Sequence, residues 1–162
     1  MILIIMGVCG AGKSTIAQAV AARLGWPVLE ADDFHPQANI EKMAAGSPLT
    51  DIDREPWLSA MNTAAREMAG RGHSAVMTCS ALKRSYRDKL RRGLENSKLV
   101  YLYADPESLA NRLQNRPGHF MKSAMLSSQL TTLEPPDVSE AVTIDTTGLD
   151  VDQTVGLVLR QV

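Results

Sequence analysis

Apolar and polar positions along this chain fall into alternating blocks that predict strands and helices in turn. Ile2-Leu3-Ile4-Ile5-Met6 is an unbroken apolar run rich in β-branched residues, the pattern of a strand covered on both faces. It stops at Gly7. Residues 14–24 then set Ile16, Ala19, Val20 and Leu24 along one side of a helix that Gly25 ends. Residues 26–31 predict a second strand closing on Asp32-Asp33. Pro36 opens a helix over 37–45, and Gly46-Ser47-Pro48 breaks it. Asp51 or Asp53 caps a longer helix over 54–69, with Pro56 tolerated in its first turn. A third strand covers 74–79, a turn 80–84 and a basic helix 85–94. A fourth strand spans 99–103, and Asp105 caps a helix over 106–114 that begins on Pro106. Residues 115–122 hold Pro117-Gly118 and predict a loop, followed by a short helix over 123–132. A fifth strand over 141–145 and a last helix over 151–159 complete the series.

Strands alternating with helices imply right-handed βαβ units and a parallel sheet covered on both faces, an α/β fold. Ligands of such sheets bind at the carboxyl ends of the strands. That edge gathers Gly7 after strand one, Asp32-Asp33 after strand two, Ser80 to Arg84 after strand three and Thr146-Thr147 after strand five.

The segment after strand one is Gly7-Val8-Cys9-Gly10-Ala11-Gly12-Lys13-Ser14, followed by Thr15. It fits the phosphate-loop pattern G-x-x-x-x-G-K-[ST] without a mismatch, and the strand before it and helix after it are the context the motif requires. Its glycines allow close backbone approach. The N–H groups converge on an anion at the positive end of a helix. Lys13 can reach β- and γ-phosphates, and the Ser14 hydroxyl can ligate Mg²⁺.

Composition narrows the class. With 162 residues, the chain is expected to form one domain. A net charge of -1 argues against a protein built around nucleic acid or an anionic membrane. No apolar stretch approaches a bilayer-spanning length, and the apolar start runs straight into the phosphate loop without a basic leader. Cys9 and Cys79 make no disulfide framework, which points to the cytoplasm.

Phosphoryl transfer needs a group that orients the nucleophile and takes its proton. One of Asp32 and Asp33 can do so while the other holds Mg²⁺ through water. The third strand ends Thr78-Cys79-Ser80 and offers no acidic residue for the metal. Arg116, in the Pro-Gly loop, can sit on a lid that expels water and brings positive charge to the transferring group. Arg112, one turn earlier, can stack on adenine or lie on a solvated face. Lys83, Arg84 and Arg87 are the part of the basic run nearest the sheet edge and can hold an anionic substrate such as a carboxylate. His35 is set to touch substrate beside the acidic pair. His73 reads as a turn residue, and the histidines show no zinc spacing.

Several stretches together resemble the gluconokinases: residues 7–15; Ala31-Asp32-Asp33-Phe34-His35-Pro36 and on to Trp57-Leu58; Cys79-Ser80-Ala81-Leu82-Lys83-Arg84-Ser85-Tyr86; and Gly118-His119-Phe120-Met121-Lys122 through Leu133-Glu134-Pro135-Pro136. The resemblance implies a three-layer P-loop kinase fold, a five-stranded parallel sheet in order 2-3-1-4-5, and a lid over about 116–132. It implies transfer of the ATP γ-phosphate to the 6-hydroxyl of D-gluconate with Mg²⁺, often in a homodimer. Carried over, Gly7, Val8, Cys9, Gly10, Ala11, Gly12, Lys13, Ser14 and Thr15 bind ATP. Asp32 is the base, and Ser14 and Asp32 stand on the magnesium side. Arg54, Lys83, Arg84 and His119 face the substrate, and Arg116 is the lid arginine; position along the chain, not the resemblance, adds Asp33, His35 and Arg87 to the substrate side. Cys9 departs from the pattern, since these loops more often hold Ser there. Other readings are a kinase of another small acceptor, such as shikimate or adenylylsulfate, and a non-catalytic nucleotide switch. Residues 32–57 argue against the first. The acidic pair and the arginine-bearing loop argue against the second.

Overall fold

Strand β1 (Ile2–Met6) is buried at every position, because it lies at the centre of the sheet. It pairs in parallel with β3 (Ala75–Cys79) on one side and β4 (Ser97–Tyr103) on the other. The outer strands are β2 (Val28–Leu29) and β5 (Val142–Asp145), giving the parallel order β2-β3-β1-β4-β5. The structure, a computed structural model, describes residues 1–114 and 119–162, apart from the side chains of 119–123.

Period-two alternation sends the β1 side chains to two separate cores. Leu3 and Ile5 pack with Ile16, Val20, Leu109, Val155 and Val158. These come from helices α1 (Lys13–Leu24), α5 (Pro106–Gln114) and α7 (Val151–Leu159). Ile2, Ile4 and Met6 pack with Trp57, Leu58, Met61, Tyr86 and Leu90. Those belong to α3 (Asp51–Gly70) and α4 (Arg84–Arg91). Helix, sheet, helix is therefore a three-layer arrangement. Two more helices, α2 (Gln37–Ala44) and α6 (His119–Thr132), lie near the sheet's carboxyl edge. Among the described residues, no helix is long and apolar enough to cross a membrane.

The departures from the sequence pattern are local and have causes. The second strand is cut to two residues, and Ala31–Phe34 forms a 3₁₀ turn instead. The Ala31 N–H bonds to the Thr78 hydroxyl at 3.3 Å, and the Ala31 carbonyl accepts from the Trp57 indole at 2.7 Å. Both bonds draw the backbone off the sheet ladder. Helix α3 starts earlier than expected, and neither aspartate is its cap. Thr50 is the cap, accepting from the Asp53 N–H, while the Asp53 carboxylate accepts from Thr50 N–H at 2.7 Å. This reciprocal pair satisfies two orphan donors. Its bonds, together with Lys42, hold Asp53 at a pKa of about 2. Helix α4 ends at Arg91 because Gly93 turns left-handed at φ 71°. Helix α6 begins at His119, four residues before the predicted start, since His-Phe-Met-Lys contains no helix breaker. The expected loop falls mainly on residues 115–118, outside those described.

Candidate active site

Gly7 leaves β1 at φ 150°, and a Cβ there would stand 2.7 Å from the Leu102 carbonyl oxygen. Only glycine fits this approach. The loop then turns through an Ala11 N–H to Val8 carbonyl bond and enters α1 at Gly12, which has φ 89° and no side chain to cap the helix. The first amides of α1 are left to an anion. Lys13 folds back so that Nζ donates to the Val8 carbonyl at 3.0 Å. Burial pushes the Lys13 pKa below its ordinary value, against the opposing pull of Cys79, Cys9, Asp32 and Glu30. A desolvated cation held over a phosphate loop suits a ligand of high negative charge density.

Glu30 belongs to this site and was missed by sequence reasoning. Its Oε2 accepts from the Ser14 hydroxyl at 3.1 Å and from the Thr78 hydroxyl at 2.6 Å. Its Oε1 is buried and, among the described residues, has no hydrogen-bond partner. A buried, half-satisfied carboxylate against the phosphate-loop serine is a donor set suited to hydrated Mg²⁺. The available signal was a carboxylate at the end of the second strand, two residues before Asp32.

Asp32 and Asp33 are exposed on the 3₁₀ turn. The Asp32 charge acts on both Lys13 and His35. His35 stacks on Trp57 with ring centroids 4.3 Å apart and 12° between planes. Its Nδ1 is buried and, among the described residues, unpartnered. Burial lowers the His35 pKa, Asp32 partly offsets this, and Arg54 adds to it.

Across the cleft, two segments, 49–54 and 83–86, meet around Asp51. Lys83 Nζ donates to both Asp51 oxygens, at 3.0 and 2.8 Å. The Tyr86 hydroxyl donates to Asp51 Oδ1 as well. The Arg54 guanidinium lies 5.7 Å and Lys83 Nζ 5.5 Å from the Tyr86 ring centroid. Arg54 also donates to the Leu49 carbonyl at 2.6 Å. Asp51 is exposed, so its bonds to Lys83 are weak and exchangeable for a substrate carboxylate. Arg84 is exposed beside this group.

Arg87 does not join them, and its expected substrate contact is corrected by its burial. Its side chain is 1% exposed, with Nε and Nη2 donating to the two Glu140 oxygens at 2.6 and 3.0 Å. Nη1 donates to the carbonyls of Ala81, Leu82 and Glu134. A head this buried and held by protein acceptors is out of a ligand's reach. Arg87→Ala is expected to cost about 3–5 kcal/mol, because Glu140 is left buried and uncompensated. Thermal and denaturant melts measure it, and an unchanged melt contradicts the structural role.

Arg112, on α5, reaches the loop after β5, donating to the Thr146 hydroxyl at 3.0 Å and the Thr146 carbonyl at 2.6 Å. Arg116 and the His119 side chain lie outside the described residues.

A family model described as an AAA domain matches residues 2–136. A gluconokinase from Gluconobacter oxydans is 51% identical over 140 residues, covering 86% of this chain and 79% of that one. The thermoresistant gluconokinase of Escherichia coli is 45% identical over 152 residues, covering 94% and 85%. The crystal structure of a gluconokinase from Sinorhizobium meliloti superposes with a TM-score of 0.86 at 42% identity, covering 98% and 89%. With its phosphate loop, its sheet order and these relatives, the chain belongs to the gluconokinase family of P-loop kinases.

Proposed function

We propose that this protein transfers the γ-phosphate of ATP to the 6-hydroxyl of D-gluconate, giving ADP and 6-phospho-D-gluconate. The observation that carries the reading is a juxtaposition. A phosphate loop with a desolvated lysine stands beside Asp32, and an exchangeable cluster of Arg54 and Lys83 stands on the substrate side. Lys13 and the loop amides hold the β- and γ-phosphates and neutralise charge that grows during transfer. Asp32 is assigned as the base because it stands exposed on the turn that follows β2, at the carboxyl edge of the sheet beside the phosphate loop, as the resemblance implies. Ser14 and Glu30 would hold Mg²⁺, with Asp32 on the same side. When bound, the ion screens the phosphate oxygens from the incoming hydroxyl. Arg54, Lys83 and Arg84 hold the carboxylate, and Asp33 and His35 meet the hydroxyls. Arg112 lies on the adenine side.

Chain length and the resemblance carry the rest of the proposal: the whole chain as one kinase domain, a lid over about 116–132, Arg116 as its arginine, and His119 at the substrate. The homodimer and the cytoplasmic location rest on the resemblance and on cysteine usage.

A panel of acceptors with ATP and Mg²⁺ tests the substrate. Glucose lacks the carboxylate that would exchange with Asp51 at Lys83, while shikimate is a rigid ring that misplaces its hydroxyl for in-line attack. Gluconate is expected to lead both in kcat/KM by at least ~10²-fold. Equal efficiency with glucose overturns the acceptor and leaves the kinase standing.

A further inference from the structure

We propose that Gln129 and Glu134 are positioning residues that link the phosphate loop to the substrate-side loop, so that nucleotide and gluconate bind cooperatively. The inference rests on the two-substrate reading above. Gln129 lies in α6, and its Oε1 accepts from the Cys9 N–H in the phosphate loop at 2.7 Å. The helix ends at Thr132. Two residues on, Glu134 makes three bonds to the other side of the cleft. Its N–H donates to the Leu82 carbonyl at 2.8 Å. Its Oε2 accepts from the Arg84 N–H at 2.7 Å. Its carbonyl accepts from Arg87 Nη1 at 2.9 Å.

Leu82 and Arg84 flank Lys83, so Glu134 holds the backbone on both sides of a substrate-side cation. Two further features show that this backbone needs holding. Lys83 stands at the cap position of α4 and supplies no side-chain hydrogen bond to it. The Arg84 amide would be an orphan donor, and the Glu134 carboxylate caps it from another segment, with the helix dipole adding to the attraction. Ala81 is the one described non-glycine residue at positive φ, 46°. Such a residue persists only where its surroundings over-determine it. Here they do: Arg87 Nη1 bonds the Ala81 and Leu82 carbonyls as well as that of Glu134.

One short stretch, 129–134, therefore grips both ligand-bearing loops, with only the last turn of α6 between the two contacts. The Leu133 N–H to Gln129 carbonyl bond at 2.9 Å closes that turn. Ordering the phosphate loop around a nucleotide orders Gln129, the turn, Glu134 and then Lys83. By linkage, gluconate must tighten nucleotide binding by the same factor.

The test is calorimetric titration of gluconate with and without a non-hydrolysable ATP analogue and Mg²⁺, on wild type, Gln129→Ala, Glu134→Ala and Glu134→Gln. Wild type should bind gluconate on the order of fivefold or more tightly when nucleotide is present. Gln129→Ala and Glu134→Ala should bring that ratio to within about twofold of one. Glu134→Gln should restore it, since its amide oxygen can accept the Arg84 N–H. A purely structural role would lower the melting temperature, or weaken both ligands, with the ratio intact. A wild-type ratio of one, or variants that keep the wild-type ratio, overturns the proposal. Should Glu134→Ala fail to fold, Gln129→Ala decides it. Wild type that binds nucleotide but no gluconate refutes the substrate reading instead.

Discussion

Lys13→Ala is expected to lower kcat by at least ~10²-fold, the scale seen when one preorganised stabilising group is removed from a transition state. The fold should survive. The lysine head makes one described hydrogen bond, to the Val8 carbonyl at 3.0 Å, worth about 1 kcal/mol net. Removing a desolvated ammonium also relieves part of its burial cost. The melting temperature should therefore move by no more than about 2–4 °C for a chain of this size. Catalysis loses far more than stability because the charge on Lys13 matches charge that develops only as the phosphoryl group transfers. ADP formation and a thermal melt, read side by side, check both halves. Near-normal turnover would sink the phosphate-loop reading.

Asp32→Asn keeps size and removes the charge. The fall in kcat should again be at least ~10²-fold, the low end for general acid–base catalysis, while ATP affinity changes much less. A second readout is independent of turnover. The Asp32 charge raises the His35 pKa against the burial that lowers it. Without that charge, the His35 titration followed by proton NMR should move further down, and His35 should stay neutral to a lower pH. If Asp33→Asn is the damaging change and Asp32→Asn is mild, the base is misassigned within the pair.

The phosphate loop and the layer order were legible because their causes are local. Gly7 is demanded by the Leu102 carbonyl beside it, and any sequence that meets the demand shows it as a glycine at fixed spacing. The apolar run of β1 likewise announced a strand covered on both faces. What stayed hidden depends on distant partners. Arg87 sits in a run of basic residues and looked like its neighbours, but Glu140, 53 positions away, takes it into the interior. Glu30 read as the end of a strand, although its partners are Ser14 and Thr78. The early end of β2 likewise follows from Trp57 and Thr78 drawing Ala31 out of the ladder, which no window of residues around Ala31 contains. Asp51 and Asp53 were the cap candidates the sequence offered, and only the reciprocal bond between Thr50 and Asp53 shows that Thr50 is the cap.

The most direct test of the central claim is to identify the product. The protein is incubated with ATP, Mg²⁺ and D-gluconate, and phosphorus NMR follows the γ-phosphate. The account predicts a new phosphate monoester coupled to the methylene protons at carbon 6, formed in step with ADP and lost in Asp32→Asn. ADP with free inorganic phosphate and unchanged gluconate, or an ester on any other carbon, would contradict it.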